Sequence, residues 1–302
     1  MPEFKSGFVT IIGETNAGKS TLLNYLTNEK VAITTFRPQT TRTAIKAILN
    51  LENAQIIFID TPGIHKPQNK LGKTMIETAK EEAGEGDILL FLIDGTKKEI
   101  GKNEALLLEE IKNKKKPTIL LINKIDLVSK EQIAKIITLY KDEYPFESII
   151  PISALKNKGR EEVLKEIEKI LKPGPMYYDI EEYTDQTQRQ LVEEVIREKA
   201  LKLLQEEVPH GLYMETEKMK RRKTKTGEAI YDIEITIYCL KNSHKGIIIG
   251  KDGEMLKRIG QYARQDLEKM LQTKINLKLW VKVKEDWQNN EMILEKFKIK
   301  KK

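Results

Sequence analysis

Gly13-Glu14-Thr15-Asn16-Ala17-Gly18-Lys19-Ser20 decides how this chain is read. It has the form G-x-x-x-x-G-K-[ST]. It lies between an apolar run, residues 8–12, and a stretch with helical spacing, residues 21–26. Strand, glycine-bounded loop and helix together are the setting in which this pattern cradles phosphates. The glycines let backbone N–H groups close around phosphate oxygens, and the helix N-terminus adds favourable partial charge. On this reading Lys19 reaches the β- and γ-phosphates, the Ser20 hydroxyl ligates Mg²⁺ and Thr21 meets the α-phosphate.

Outward from the loop, four more apolar runs alternate with helical stretches. Residues 55–59, 88–93, 118–122 and 148–152 end in Asp60, Asp94, Asn123 and Ser153. Continuous apolar strands between helices predict an α/β domain with a mostly parallel sheet and helices on both faces. Ligands then bind beyond the carboxyl ends of the strands, where these polar residues gather.

Each polar strand end opens a short motif. In Asp60-Thr61-Pro62-Gly63, Asp60 would hold Mg²⁺ and the Gly63 N–H would face the γ-phosphate. In Asn123-Lys124-Ile125-Asp126, the Asp126 carboxylate can accept from both N1–H and the exocyclic amine of guanine. Adenine offers no such pair, so GTP and GDP are the expected ligands. Asn123 would order the loop and the Lys124 stem would cover the ring. In Ser153-Ala154-Leu155, the Ala154 N–H would meet the base O6.

The 302 residues predict two domains. Lys172-Pro173-Gly174-Pro175 is a strong breaker. We place the first domain at 1–175, a linker at 176–186 and a second domain at 187–302 with a basic tail. The expected order in that second domain is helix, strand, strand, helix, loop, helix, strand, with a terminal helix over 286–299.

Net charge is +7, and residues 181–302 hold 26 Lys and Arg against 21 Asp and Glu. So small an excess permits an anionic partner without demanding one. Cys239 is the single cysteine, which excludes an intrachain disulfide and a Cys/His zinc site and favours a reducing compartment. The N-terminus lacks the charged and apolar regions of a signal peptide, and no run approaches the length of a membrane span.

In order, the nucleotide motifs resemble those of the translation-factor-like GTPases. The resemblance gives Thr41, favoured over Thr40, the switch I role of binding Mg²⁺ when the γ-phosphate is present. It makes Lys19, Thr41 and Gly63 the catalytic set. The residue after Gly63 is Ile64, where Ras-type proteins carry a water-orienting glutamine, so slow intrinsic hydrolysis is expected. Asn16 resembles the asparagine at which some GTPases bind K⁺.

Ile249-Gly250-Lys251-Asp252-Gly253, between two helical stretches, resembles the G-x-x-G loop of a type II KH domain, which clamps single-stranded RNA. Lys245, Gly246, Ile249, Gly250, Lys251, Asp252 and Gly253 would contact RNA. Ile248, Met255, Leu256 and Ile259 would help line an apolar groove for bases. The basic run containing Lys220, Arg221, Arg222 and Lys223 would add phosphate contacts.

A GTPase domain followed by a type II KH domain resembles the Era family of bacterial ribosome-assembly GTPases. The resemblance includes Pro38-Gln39-Thr40-Thr41-Arg42 and the stretches 183–186, 196–199 and 244–251. It implies binding near the 3′ end of 16S ribosomal RNA, action in assembly of the 30S subunit, a cytoplasmic monomer and peripheral association with the inner membrane. Two rival readings are a constitutive RNA-binding assembly factor with nucleotide as a structural ligand, and a membrane-recruited GTPase.

Overall fold

A computed structural model describes residues 3–35, 37, 40–63, 67 and 69–295. One compact unit ends at Asp185 and the other spans Gln186–Leu294.

The first unit contains β1 (Lys5–Gly13), α1 (Lys19–Thr27), β2 (Ile45–Asn50), β3 (Ala54–Asp60), α2 (Lys70–Glu85), β4 (Ile88–Asp94), α3 (Lys102–Lys114), β5 (Thr118–Asn123), α4 (Lys130–Lys141), β6 (Ser148–Pro151) and α5 (Arg160–Ile170). Its sheet runs β2-β3-β1-β4-β5-β6 and is parallel throughout except for β2. The chain passes from β1 to β3 on one side and returns to β4 on the other. The phosphate loop leaves β1 where the order reverses, the position at which such sheets bind ligands. The central strands carry apolar side chains on both faces, and Ile56, Ile57, Phe58, Leu89, Leu90 and Phe91 are all fully buried. Burial on two faces explains why their sequences are unbroken apolar runs.

The edge strand β2 was not anticipated. Its sequence, IKAILN, neither alternates cleanly nor forms a long apolar run, because Ala47 and Ile48 are buried in succession. Its outer edge is covered by residues 176–185, which make up all but the last residue of the stretch 176–186 read from sequence as a linker. The Ile48 N–H donates to the Tyr183 carbonyl (3.0 Å), and the Thr184 hydroxyl to the Lys46 carbonyl (2.8 Å). The wholly buried Gln55 amide accepts from the Tyr177 and Tyr178 N–H groups and donates to the Tyr178 carbonyl. A covered edge cannot recruit a foreign strand.

The second unit contains α6 (Gln188–Leu203), β7 (Tyr213–Lys223), β8 (Ala229–Cys239), α7 (Asn242–Ile249), α8 (Glu254–Leu271), β9 (Lys274–Val283) and α9 (Glu291–Leu294). Thr187 caps α6 in a reciprocal box with Gln190. The sheet order is β7-β8-β9, with β7 antiparallel and β9 parallel to β8. Ile233, Ile235, Ile237, Val192, Ile196, Ala263 and Leu267 make a buried core between sheet and helices. The expected terminal helix is shorter than the sequence suggests: a 3₁₀ turn at Trp287–Asn289 precedes α9, and Asn290 between them is extended. The basic tail beyond Glu295 lies outside the described residues.

Candidate functional site

The phosphate loop turns on unusual backbone. Asn16 has φ 65° and Gly18 has φ 103°. A Cβ at Gly18 would lie 2.5 Å from the Asn123 Nδ2, so glycine is required there by conformation and by space. Lys19, 6 % exposed, donates to the Gly13 and Glu14 carbonyls at 2.9 Å each. Burial pushes its pKa down to about 8, against the opposing pull of Asp60 and Glu14.

Ser20, Thr41 and Asp60 meet on one side of this loop. The Ser20 hydroxyl donates to Asp60 Oδ2 (2.7 Å) and lies 2.8 Å from Thr41 Oγ1, which donates to the same carboxylate oxygen at 3.2 Å. Thr40 is turned elsewhere: its hydroxyl pairs with Thr35 and donates to the Arg37 carbonyl. Burial raises the Asp60 carboxyl above its ordinary range, opposed by the Lys19 charge and the Ser20 and Thr41 hydroxyls. Its Oδ1 is buried and has no hydrogen-bond partner among the described residues. Two hydroxyls and a carboxylate, one of whose oxygens is the orphaned Oδ1, form a hard donor set that suits Mg²⁺. Among the described residues no group of three His, Cys, Asp or Glu is gathered as a metal site.

Thr21 and Asn16 line the same pocket, about 420 Å³, together with Gly63. Gly63 stands so close to the phosphate loop that a Cβ there would lie 3.0 Å from the Thr15 Cα. Buried Thr61 donates to the Ile11 carbonyl, which fixes the start of the Asp60–Gly63 turn, and Pro62 is buried beside it. Ala17 is buried under the loop. Ile64, on which the expectation of slow hydrolysis rested, lies outside the described residues, as do Pro38 and Gln39.

Asn123 joins the phosphate loop to the base side. Its amide nitrogen donates to the Ala17 carbonyl (2.8 Å), and its amide oxygen accepts from the Ala154 N–H (3.1 Å). Lys124, at φ 66°, donates to Asp94 Oδ2 (2.6 Å). Burial tends to raise the Asp94 carboxyl, but hydrogen bonds from Lys124 and Thr96 hold it below the ordinary range. Ser153 donates to Asp126 Oδ1, and exposed Leu155 follows Ala154 at the rim. Sequence reading missed Asp94 as the partner of Lys124, although its place at a strand end was a signal.

In the second unit the G-x-x-G loop joins α7 to α8 through a 3₁₀ turn at Lys251–Gly253. Gly250 (φ 75°, ψ 174°) takes a conformation that only glycine adopts readily, and a Cβ there would lie 2.7 Å from the Met255 Cβ. Gly246 and Gly253 face open space. Lys251 and Asp252 are exposed, and Lys245, Ile249, Met255 and Leu256 are half-buried around the loop. Ile248 and Ile259 do not line this surface. Both are fully buried in the core, because their helical positions face the sheet. Lys220, Arg221, Arg222 and Lys223 are exposed at the far end of β7. Arg222 is paired with Asp232 (2.6 Å), whose pKa falls to about 2 under hydrogen bonds from Arg222 and Asn276. Arg222 is therefore the member of this run whose charge is already partly answered.

Two family models match the chain: "50S ribosome-binding GTPase" over residues 8–124 and "KH domain" over residues 207–288. GTPase Era of Clostridium botulinum (strain Eklund 17B / Type B) is 47 % identical over 299 residues, 99 % of this chain and 100 % of that one. GTPase Era of Clostridioides difficile (strain 630) is 49 % identical over 295 residues, 97 % of this chain and 98 % of that one. A crystal structure of Era in complex with MgGDPNP and nucleotides 1506–1542 of 16S ribosomal RNA superimposes with a TM-score of 0.92. It is 38 % identical and covers 97 % of this chain and 98 % of its own. An Aquifex aeolicus Era variant bound to GDP·AlF₄⁻ gives a TM-score of 0.91 at 37 % identity, covering 97 % and 99 %. With phosphate loop, base-side motifs and KH fold in one chain matched from end to end, this protein belongs to the Era family of GTPases.

Proposed function

We propose that this protein is a GTP-hydrolysing switch that binds the single-stranded 3′ end of 16S ribosomal RNA through its KH domain and acts in assembly of the 30S subunit. The carrying observation is the meeting of Thr41 with Ser20 and Asp60. It supports a switch I threonine within reach of the metal that accompanies a triphosphate. The RNA assignment is supported by the solved Era complex with 16S RNA, similar over nearly the whole chain. The "50S" in the family description concerns residues 8–124 only and lacks the KH portion, so it weighs less.

Ser20, Asp60 and Thr41 would hold Mg²⁺, which when bound supplies positive charge to the phosphates. Lys19 binds the β- and γ-phosphate oxygens, and the Gly63 N–H faces the transferred group. Water adds to the γ-phosphorus as the bond to the β–γ bridging oxygen breaks. GDP keeps the electron pair, and the proton from water leaves with phosphate. Loss of the γ-phosphate would remove the ligand-side contacts of Thr41 and of the Gly63 N–H, a switch by order and disorder. Asn16, exposed at the pocket rim, is the proposed K⁺ ligand. Lys245, Gly246, Ile249 and Gly250 to Gly253 would clamp the RNA backbone, with Lys220 to Lys223 adding charge. The protein would act as a cytoplasmic monomer. Among the described residues no helix is long and apolar enough to cross a membrane. Peripheral contact with the inner membrane is the finer part of the proposal, tested by flotation with anionic vesicles.

The test is GTP turnover with and without a single-stranded 16S 3′-end RNA, in K⁺ and in Na⁺. RNA should raise turnover, Lys251→Glu should remove that rise without altering basal turnover, and Na⁺ should slow the reaction. RNA that binds without changing turnover or nucleotide affinity would favour the constitutive RNA-binding reading.

Lys19 gives a second test. Its lowered pKa means the nucleotide-free site holds the ammonium fully charged only below about pH 8. Phosphates restore the charge, so binding takes up a proton above pH 8, and affinity falls as pH rises through that value. The sign for stability is opposite. The unfolded chain binds this proton more tightly, so the free protein gains stability from Lys19 as pH climbs from about 8 toward 10.5. GDP titrations by calorimetry at about pH 7 and about pH 9, roughly one unit either side of the transition, should show the loss of affinity and the proton uptake. Lys19→Arg should flatten both, and equal affinities in the native protein would refute the assignment.

A further inference from the structure

One polar cluster adjoins the phosphate loop. Glu14 gives its backbone carbonyl to Lys19, while its carboxylate, 15 % exposed, accepts from the Lys97 ammonium. Lys97 also donates to Glu104 at 3.2 Å. Glu104 is 2 % exposed, and its other oxygen accepts the Gly101 N–H at 3.0 Å, capping α3. One ammonium thus serves two carboxylates, and the trio carries a net negative charge. Burial tends to lower the Lys97 pKa, yet the hydrogen bonds and charges of Glu14 and Glu104 hold it above the ordinary lysine value. The charge on Glu14 is also felt at Lys19.

An acidic residue inside a phosphate-binding loop works against its ligand, since like charges repel strongly where water is excluded. Lys97 is placed to offset that cost. It leaves the loop after β4, whose first turn is fixed by hydrogen bonds from Thr96 to Asp94 and of Asp94 with Lys124. The same short loop therefore braces the base side and the phosphate side of the pocket.

We propose that Lys97 is a positioning residue that holds and neutralises the Glu14 carboxylate, so that a phosphate loop carrying an acid keeps its affinity for a nucleoside triphosphate. The proposal rests on the GTP-binding reading. It makes the penalty of losing Lys97 depend on ligand charge, greater for GTP than for GDP, and makes it removable by discharging Glu14.

The experiment measures GTP-analogue and GDP affinities, with melting temperature, for Lys97→Met, Lys97→Arg, Glu14→Gln and the double variant Glu14→Gln/Lys97→Met. Lys97→Met should weaken GTP-analogue binding about tenfold and GDP binding less. Lys97→Arg should restore most of the loss, and the double variant should recover it. Equal weakening of both nucleotides, or a double variant as weak as Lys97→Met, would overturn the proposal and leave Lys97 a structural partner of Glu104. If Lys97→Met fails to fold, Glu14→Gln decides alone: tighter GTP-analogue binding than native supports the proposal, and weaker binding overturns it. A native protein that binds neither nucleotide would refute the GTP-binding reading instead.

Discussion

Asp126→Asn is expected to exchange the base that this protein binds. Asp126 sits in the 3₁₀ turn Ile125–Leu127, and its carboxylate already accepts from the Ser153 hydroxyl. The direction in which that turn leaves β5 is set by Lys124, held at φ 66° and tied to Asp94. The remaining lone pairs can accept two hydrogen bonds from guanine, N1–H and the exocyclic amine. An asparagine keeps the acceptor but presents an NH₂ to the amine, so one bond becomes a donor–donor clash and the other loses its charge. Charge-assisted bonds contribute about 1.5–3 kcal/mol each, so GTP affinity should fall on the order of 10²- to 10⁴-fold. Xanthine carries a carbonyl where guanine carries the amine. It should therefore bind the variant better than the native protein, the reverse of the native order. The Ser153 hydroxyl can still donate to the amide oxygen, so the melting temperature of the nucleotide-free protein should change little. Calorimetric titration with GTP, XTP and ATP checks this. Unaltered GTP affinity would remove Asp126 from base recognition.

How much of this was legible in the sequence depends on how local each cause is. The strand–loop–helix around Gly13 to Ser20 was readable because its signals are adjacent residues. The central strands were readable because burial on both faces leaves unbroken apolar runs such as Ile56 to Ile59. The edge strand β2 was not: it pairs with β3 just after it, but its sequence has no clean period, and its outer edge is covered by residues 176–185, more than a hundred positions away. The same distance hid the role of Gln55, a buried amide whose partners are the backbone of Tyr177 and Tyr178. In the second unit the G-x-x-G loop was found, but Ile248 and Ile259 were placed on the wrong side of it. A loop motif does not show which way the flanking helices face, and the burial of these two side chains against the sheet does. The Glu14–Lys97 pair was also invisible in sequence, because 83 residues separate its members.

Asn123→Asp is expected to cost both stability and nucleotide binding, although it changes one atom type. The side chain is 4 % exposed and clamps the phosphate loop to the base-side loop. Its amide oxygen can be replaced without harm, because a carboxylate oxygen accepts equally well from the Ala154 N–H. Its amide nitrogen cannot, because a carboxylate oxygen would face the Ala17 carbonyl oxygen at the 2.8 Å now spanned by a hydrogen bond. The variant must therefore protonate, turn the side chain, or separate the phosphate loop from the base-side loop. Protonation keeps the donor but holds a carboxylic acid neutral near pH 7, at a cost of about 1.4 kcal/mol per pH unit above its ordinary pKa. Separation orphans buried groups on both sides at roughly 1–3 kcal/mol each. A loss of about 3–5 kcal/mol corresponds to a fall in melting temperature of about 6–20 °C for a unit of this size. The acid route also gives the effect a sign with pH. The folded variant binds its proton more tightly than the unfolded chain, so its deficit should shrink as pH falls from about 7 toward about 5. Melting curves of native and variant protein across that range, with and without GDP, test the assignment. A pH-independent deficit would show that the clamp opens rather than protonates. No deficit at all would mean that Asn123 does not couple the two halves of the nucleotide pocket.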